Sequence, residues 1–551
     1  MIPTDLEKGK TLGVLPDSSD TTQNNEDEPQ THDTPVVETQ DRDATEQELG
    51  NLSRGIDSIP FAVWIVVVAG AAERITFYAV TGPWQNYMQH PPGETLPGAL
   101  GLGQARATTI FNAFVFLSYL IPMPVAIIAD TKLGRYRTIG AGLLFYMLGL
   151  IVMFVTSLPY SLRHGAGIPG LAVSMICIAI GVGSVKANIA AFMLDQYPET
   201  APKLLTRKNG DRFVGDRDMT IQYVYNVYYW LVNIAGLSSI PSTYLEKIYG
   251  FWAAYLLAWC SLGLCAGLLL FYRKRFIRVA PQGNILPNAA KVLTVAVKNG
   301  FRMQAASPSY QREYNGVNVP WDENFVAEIQ RGLVASQVIL AFSLFELGYS
   351  QIQNNLVSQA GQMRLDRVPN DAFQTLNPIA CIILGPLVQS LYGWLKKRNI
   401  PFRPIARVMT AFLLMAIAMG YASGVQDLVY NTGPCYDRPL ACPESDNGRV
   451  PNNVSVWLQT PMHFIMAFSE FLAIVTMMEY AYSKAPAGMK SIVQAFSQLS
   501  NALGRALGMA ISPLAKDPHL VAYYASLAGV MVLSIMLFRF FFKRYDDIDD
   551  A

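Results

Sequence analysis

Two ionisable residues, Glu73 and Arg74, stand side by side in "VVVAGAAERITFYAVTGPW", a run that is otherwise apolar or small. Lys186 in "AIGVGSVKANIAAFMLDQY", Glu346 in "FSLFELGYSQ" and Glu470 in "MAFSEFLAIV" interrupt similar runs. Ionisable groups at bilayer depth cost on the order of 2.5 to 3.5 kcal/mol each on insertion scales, so they persist where they face one another, water or a ligand. Buried structural ion pairs would meet that condition. A binding cavity would too, and the signs favour it: Arg74 and Lys186 lie in the first half of the chain, Glu346 and Glu470 in the second. A cationic wall opposite an anionic one fits a zwitterion with separated charges, such as a short peptide or an amino acid. The chemistry available is non-covalent. It comprises charge-assisted binding of a carboxylate and an ammonium, and proton uptake by an acid whose neighbouring cation is drawn away by substrate.

Such residues need bilayer-crossing elements to hold them. Of the 551 residues, 51% are hydrophobic and only 15% charged, with mean hydropathy +0.24, too apolar for a soluble protein of this size. A helix crosses the ~30 Å hydrocarbon core with about 20 residues, and lipid cannot satisfy an open sheet edge. Apolar runs of that length fall near 58–82, 108–129, 137–157, 168–194, 220–245, 250–272, 330–359, 371–394, 403–424, 456–483, 488–513 and 518–542. The chain therefore reads as an all-α integral membrane protein with about twelve spans. Basic residues cluster after the even-numbered spans: Lys132, Arg135 and Arg137, then Lys203, Arg207, Lys208, Arg212 and Arg217, then Arg273, Lys274, Arg275 and Arg278, then Lys396, Lys397, Arg398 and Arg403. The loops after spans one, five and eleven hold only Arg106, Lys247 and Lys516, so both termini are expected in the cytoplasm. Arg364 and Arg367 depart from the pattern without reversing it.

Residues 1–55 are polar, acidic and nearly free of aromatics, which predicts a disordered cytoplasmic tail with no signal peptide before the first span. A polar segment from about Arg273 to Glu328 separates six spans from six. The expected organisation is a six-helix half over 56–272, a cytoplasmic linker over 273–329, a second half over 330–545 and a short tail over 546–551. Two pseudo-equivalent halves with a site at the midplane between them are what a secondary transporter would show. No G-x-x-x-x-G-K-[ST] loop offers a pump its nucleotide, and no selectivity filter for a channel is evident. His32, His90, His164, His463 and His519 are scattered singly, so neither enzyme chemistry nor a metal is expected, nor is a nucleic-acid partner. Cys177, Cys260, Cys265 and Cys381 fall in spans as small apolar residues. Cys435 and Cys442, in "GPCYDRPLACP", fall in an expected external loop where a disulfide is permitted. Asn453 opens the sequon "NVS" in the same loop and is a glycosylation candidate.

The same in-span residues carry a resemblance. "GAAERITFYA" resembles the Glu-x-x-Glu-Arg-Phe motif in the first helix of the proton-dependent oligopeptide transporters, a branch of the major facilitator superfamily. "GVGSVKANIAAFMLDQ" is similar to their fourth-helix signature, with Gly181, Gly183, Lys186, Asn188, Phe192, Asp195 and Gln196 matching and Ala187 replacing a proline. "YYWLVNIAG" resembles the fifth-helix pattern, with Tyr229 and Asn233 in register. "LPGALGLGQARATT", "NNLVSQAGQM", "VPNDAFQTLNPIA", "FRPIARVMTAF" and "EYAYSKAPAGMKS" resemble the fungal branch, so the likeness runs from Ile59 to Lys543. In "IADTKLGRYRTIG", Asp130, Gly134 and Arg135 match the superfamily's cytoplasmic gate loop, where glycine permits a tight turn and the charges latch helix ends.

The resemblance implies a plasma-membrane, monomeric, proton-coupled carrier of di- and tripeptides, with no cofactor but the proton. Arg74 and Lys186 would receive the substrate carboxylate and Glu470 its amino group. Tyr78, Tyr119, Asn233 and Asn377 would line the cavity, and Glu73 would serve proton coupling. The chain also departs from the pattern. The motif's first glutamate falls on Gly70 and its phenylalanine on Ile75, while an acid common before Gln351 is here Ser350. Glu346 lies one helical turn from Ser350, on roughly the same face, and is expected to supply the missing negative charge to Arg74 or Lys186 from across the cavity. Two alternatives stay open: a divergent carrier of a modified peptide, secondary metabolite or anion with altered coupling, and a non-transporting nutrient receptor.

Overall fold

A computed structural model describes residues 38–43, 52–94, 96–197, 203–206, 211–281, 286–300, 302–398, 402–446, 448–477 and 490–542, which fall into two compact units. The smaller is a four-stranded sheet of β1 (Glu38–Asp43), β2 (Arg54–Ile56), β3 (Lys203–Thr206) and β4 (Arg212–Asp216), in the order β1-β3-β4-β2. β1 and β4 run antiparallel to β3, and β2 runs parallel to β4. The apolar residues come mostly from the β3–β4 hairpin, whose Leu204, Leu205, Phe213 and Val214 are buried. Gly55 pairs over the Phe213 ring, where an added Cβ would lie 2.4 Å from a ring carbon. The expectation of a disordered tail over 1–55 is thus corrected at two segments. "ETQDRD" has no apolar periodicity of its own; it is a strand because a hairpin some 160 residues later supplies its hydrogen-bonding edge. The same pairing places residues 202–216, expected within the first half, with the sheet.

The larger unit is helical. Its principal helices are α1 (Phe61–Thr81), α2 (Gln104–Leu120), α3 (Arg135–Thr156), α4 (Gly167–Asp195), α5 (Arg217–Gly236), α6 (Ser239–Tyr249), α7 (Phe251–Phe271), α8 (Leu286–Lys298), α9 (Pro308–Asn315), α10 (Glu323–Ala341), α11 (Ser343–Tyr349), α12 (Asn355–Gly361), α13 (Leu376–Lys397), α14 (Pro404–Tyr430), α15 (Thr460–Glu470), α16 (Lys490–Ile511) and α17 (Leu520–Leu537). Packing divides as the sequence does. Trp84, Phe111, Phe114, Tyr146, Phe192 and Tyr255 share one core from the first half, and Phe345, Phe412, Tyr524 and Phe538 share another from the second. α3 and α4 meet through small residues, since a Cβ on Gly181 would fall 2.4 Å from that of Tyr146; close backbone approach replaces a hydrophobic drive that lipid does not supply.

Among the described residues, eight helical stretches are long and apolar enough to cross a membrane. The other four expected spans correspond to α5–α6, α10–α12, α15 with the turn after it, and α16. These are broken or carry polar residues such as Asn233, Glu346, Gln351, Glu470 and Arg505. A helix that lines a cavity exposes polar groups there and so loses mean hydropathy. "EYAYSKAPAGMKS" lies largely outside the described residues. The linker over 273–329 contains helices α8 and α9 and a small core of Ala289, Val292, Ala306, Val326 and Ile329. Two helix starts there carry recognisable caps. Ser307 Oγ accepts from the Tyr310 N–H at 3.3 Å, and Asp322 Oδ1 accepts from Phe325 at 2.9 Å, so the seventh span's helix begins at Glu323 rather than 330.

Candidate functional site

α1 places Glu73, Arg74 and Tyr78 at the interior of the larger unit. Adjacent helix residues point about 100° apart, so they pair only if a long side chain folds back. Arg74 does so, its Nε donating to Glu73 Oε2 at 2.6 Å and its Nη2 to Oε1 at 2.7 Å. This bidentate fork satisfies Glu73, which is 1% exposed. The absent first glutamate has a steric reason as well. A Cβ on Gly70 would lie 2.8 Å from Tyr228 Cε2 and 3.1 Å from its hydroxyl. The Tyr228 ring therefore fills the space an acid would use.

α4 brings Lys186 to the same cavity. Its Nζ sits 3.9 Å from the centroid of the Tyr119 ring, a cation–π contact, and no carboxylate lies within ion-pair distance among the described residues. Glu346 is differently placed from the expectation. Its Oε1 accepts from Arg505 Nε at 2.9 Å and lies 2.9 Å from Nη2 as an ion pair, with the two side chains 5% and 3% exposed. The expected latch to Arg74 or Lys186 is thus replaced by a pair within the second half. Gly504 makes it possible, because a Cβ there would meet the Glu346 Cβ at 2.5 Å. Arg505 escaped the sequence reading, although a lone arginine in an apolar span is the same signal that singled out Arg74.

Glu470, at the end of α15, accepts from Asn377 Nδ2 at 2.8 Å and contacts Cys381 Sγ at 3.6 Å. Among the described residues it has no cation partner. Two adjoining spaces collect these groups. The larger is lined by Arg74, Tyr78, Tyr119, Lys186, Glu346 and Glu470 among others. The smaller takes Tyr78, Asn233, Asn377 and Glu470. Tyr78 and Glu470 belong to both and mark the junction. Every residue expected to hold substrate therefore lines one of the two, and Glu73 stands behind Arg74.

The gate-loop residues form a separate cluster. Gly134 adopts φ +77°, which admits the turn into α3. Arg135 then reaches Asp130 at 3.5 Å and Asp195, at the end of α4, at 2.5 Å. Gln196 follows by exchanging two hydrogen bonds with the Ile277 backbone, at 3.1 and 2.9 Å. The Asp-Gln pair of the fourth-helix signature thus fastens helix ends rather than substrate. Cys435 and Cys442 are joined by a disulfide, and Asn453 is exposed, its Oδ1 accepting from Arg364 Nη1 at 2.9 Å.

Comparison with known proteins agrees with this geometry. Residues 136–527 match the PTR2 family, the POT family. The chain is 39% identical to the peptide transporter PTR_C of Candidozyma auris, over 92% of this chain and 88% of that relative. It is 34% identical to the peptide transporter PTR2 of Saccharomyces cerevisiae, over 92% and 83%. The solved POT family transporter PepTSo superposes with a TM-score of 0.70 at 18% identity, covering 89% of this chain and 99% of that one. A mostly helical, two-halved transporter fold, the matching profile and two relatives aligned over most of their length lead to one conclusion: the chain is a multi-pass membrane protein that belongs to the POT family.

Proposed function

We propose that this protein carries di- and tripeptides, or peptide-like zwitterions, across a membrane by alternating access, driven by protons. One observation carries the reading: Lys186 from the first half and Glu470 from the second face joined cavities with no opposite charge paired to either among the described residues. Arg74 and Glu346 have their charges matched by Glu73 and Arg505. The carboxylate of a peptide goes to Lys186, with Arg74 beside it, and its ammonium to Glu470. Tyr78, Tyr119, Asn233 and Asn377 offer hydrogen bonds along the length between. Relatives named as peptide transporters support this substrate class.

Glu73 and Glu346 are the proton-coupling acids, each held by an arginine that substrate or cavity closure can draw off. The proton is the coupling ion and no other cofactor is required. The cavity lies between the halves of a single chain, which favours a working monomer. The basic loops favour cytoplasmic termini, and the family resemblance favours the plasma membrane. Uptake of a labelled dipeptide into proteoliposomes with an imposed pH gradient tests the reading. Lys186→Ala is expected to abolish uptake without lowering the amount of protein in the membrane, and normal uptake by that variant would remove Lys186 from the mechanism. Glu346→Gln is expected to lose proton-driven accumulation while keeping counterflow.

A further inference from the structure

Where α1 ends, the two halves are joined largely by uncharged hydrogen bonds. Asn86 and Asn370 exchange two, at 2.8 and 2.9 Å, Gln85 donates to Ser358 at 3.2 Å, Gln104 to Asn355 at 3.0 Å, and Gln374 to the Gly82 carbonyl at 3.1 Å. By the expected topology this is the external end, and in this conformation it is closed. One contact in the seam is of another kind. Glu246, on α6 of the first half, and Asp371, in the turn Asn370–Thr375 of the second, bring their carboxyl groups within hydrogen-bonding reach of each other. Both are buried, at 3% and 0% exposure.

Their surroundings do not account for two negative charges. Asn86 Nδ2 reaches one Glu246 oxygen at 3.4 Å. The other Glu246 oxygen and both Asp371 oxygens lack a hydrogen bond of ordinary geometry. The backbone N–H groups of Asp371 and Ala372 face the Asp371 carboxyl. Lys247, on α6, acts on Asp371 from a distance while its Nζ donates to the Arg367 carbonyl at 2.9 Å. From α7, Tyr255 faces both acids, with Tyr87 packed on it. Among the described residues neither acid has an ion pair. Two carboxylates both accept, so a hydrogen bond between them requires a proton on one. Placed together and ionised, they would repel in a medium that screens poorly.

We infer that Glu246 and Asp371 form a proton-binding site between the halves, and that the proton they share holds the external end closed. Losing it turns the contact from a hydrogen bond into a repulsion, and the remaining hydrogen bonds of the seam are left to part. The site is distinct from the Glu73–Arg74 and Glu346–Arg505 pairs of the cavity. It rests on the alternating-access reading but not on the substrate's identity.

Hydrogen exchange on the full chain in lipid nanodiscs, at about pH 5.5 and about pH 7.5 and corrected for chemical exchange, reads opening of the seam directly. Segments 239–249 and 363–376 should be better protected at the lower pH, by up to about tenfold per pH unit, the limit for one linked proton. In Asp371→Asn the amide donates to Glu246 with no proton to lose, so protection should stay at the parent's low-pH level at both values. Glu246→Gln makes the same substitution from the other side, and decides the matter if Asp371→Asn fails to fold. Equal protection of the parent at both pH values overturns the proposal, as does parental pH dependence surviving in a folded variant. Absence of peptide counterflow in the parent would sink the peptide-carrier reading and leave the exchange result standing.

Discussion

Replacing Glu470 by glutamine changes one thing at the junction of the two cavities. The side chain keeps its length and an oxygen to accept from Asn377, now at 2.8 Å from Glu470 Oε2; it loses its charge. A hydrogen bond from a substrate ammonium to a carboxylate contributes about 1.5 to 3 kcal/mol net when water is excluded, and here no protein cation competes for the acid among the described residues. The loss corresponds to roughly 10- to 150-fold weaker binding of a free-amine dipeptide. An N-acetylated dipeptide has no ammonium, so its affinity should be unchanged between parent and variant. Equilibrium competition against a labelled dipeptide, on purified protein in nanodiscs, measures both. A ratio of free-amine to N-acetyl affinity that is the same in parent and Glu470→Gln would refute the assignment. It would also remove the charge separation from which the substrate class was argued.

Three further outcomes follow from the packing. Arg505→Met should lower thermal stability by about 3 to 5 kcal/mol because it strands the buried Glu346 charge, whereas Arg505→Met with Glu346→Leu should recover most of that loss; a double variant no more stable than the single would show that the pair is not the cause. Gly70→Ala should cost about 1 to 3 kcal/mol through overpacking against Tyr228, and Tyr228→Leu should relieve it; additive losses in a thermal-shift series would mean the ring is not what excludes a side chain there. Asp517, in the loop before α17, is held above the usual carboxylate range chiefly by burial, against the opposing bonds from Tyr430 and Gln362. A raised native value means its protonated form stabilises the fold below the ordinary carboxylate range, and that contribution is lost as pH rises through the native value. Asp517→Asn should therefore flatten the rise in melting temperature on acidification from neutral pH, and an unchanged slope would contradict this.

Much of this protein is determined locally, and there the sequence suffices. Long apolar runs become helices because lipid leaves the backbone no other way to satisfy itself. The residues interrupting those runs mark a cavity because burying a charge without a reason is costly, and that argument alone reached Arg74, Lys186, Glu346 and Glu470. Gly134 was equally legible, since a turn depends on neighbours a few residues away. Which charge answers which is a different matter, decided only when distant helices meet. Nothing near Glu346 names Arg505, 159 residues on; Gly504 admits the approach, and the pairing leaves Lys186 without a carboxylate among the described residues. Nothing near Gly70 shows that the Tyr228 ring occupies its space. "ETQDRD" becomes a strand only beside Lys203–Thr206. Glu246 and Asp371 each read as an ordinary acid at the edge of a span, and only the packing of one half against the other turns them into a pair, because a contact between far-separated residues leaves no periodicity or spacing in the sequence to read.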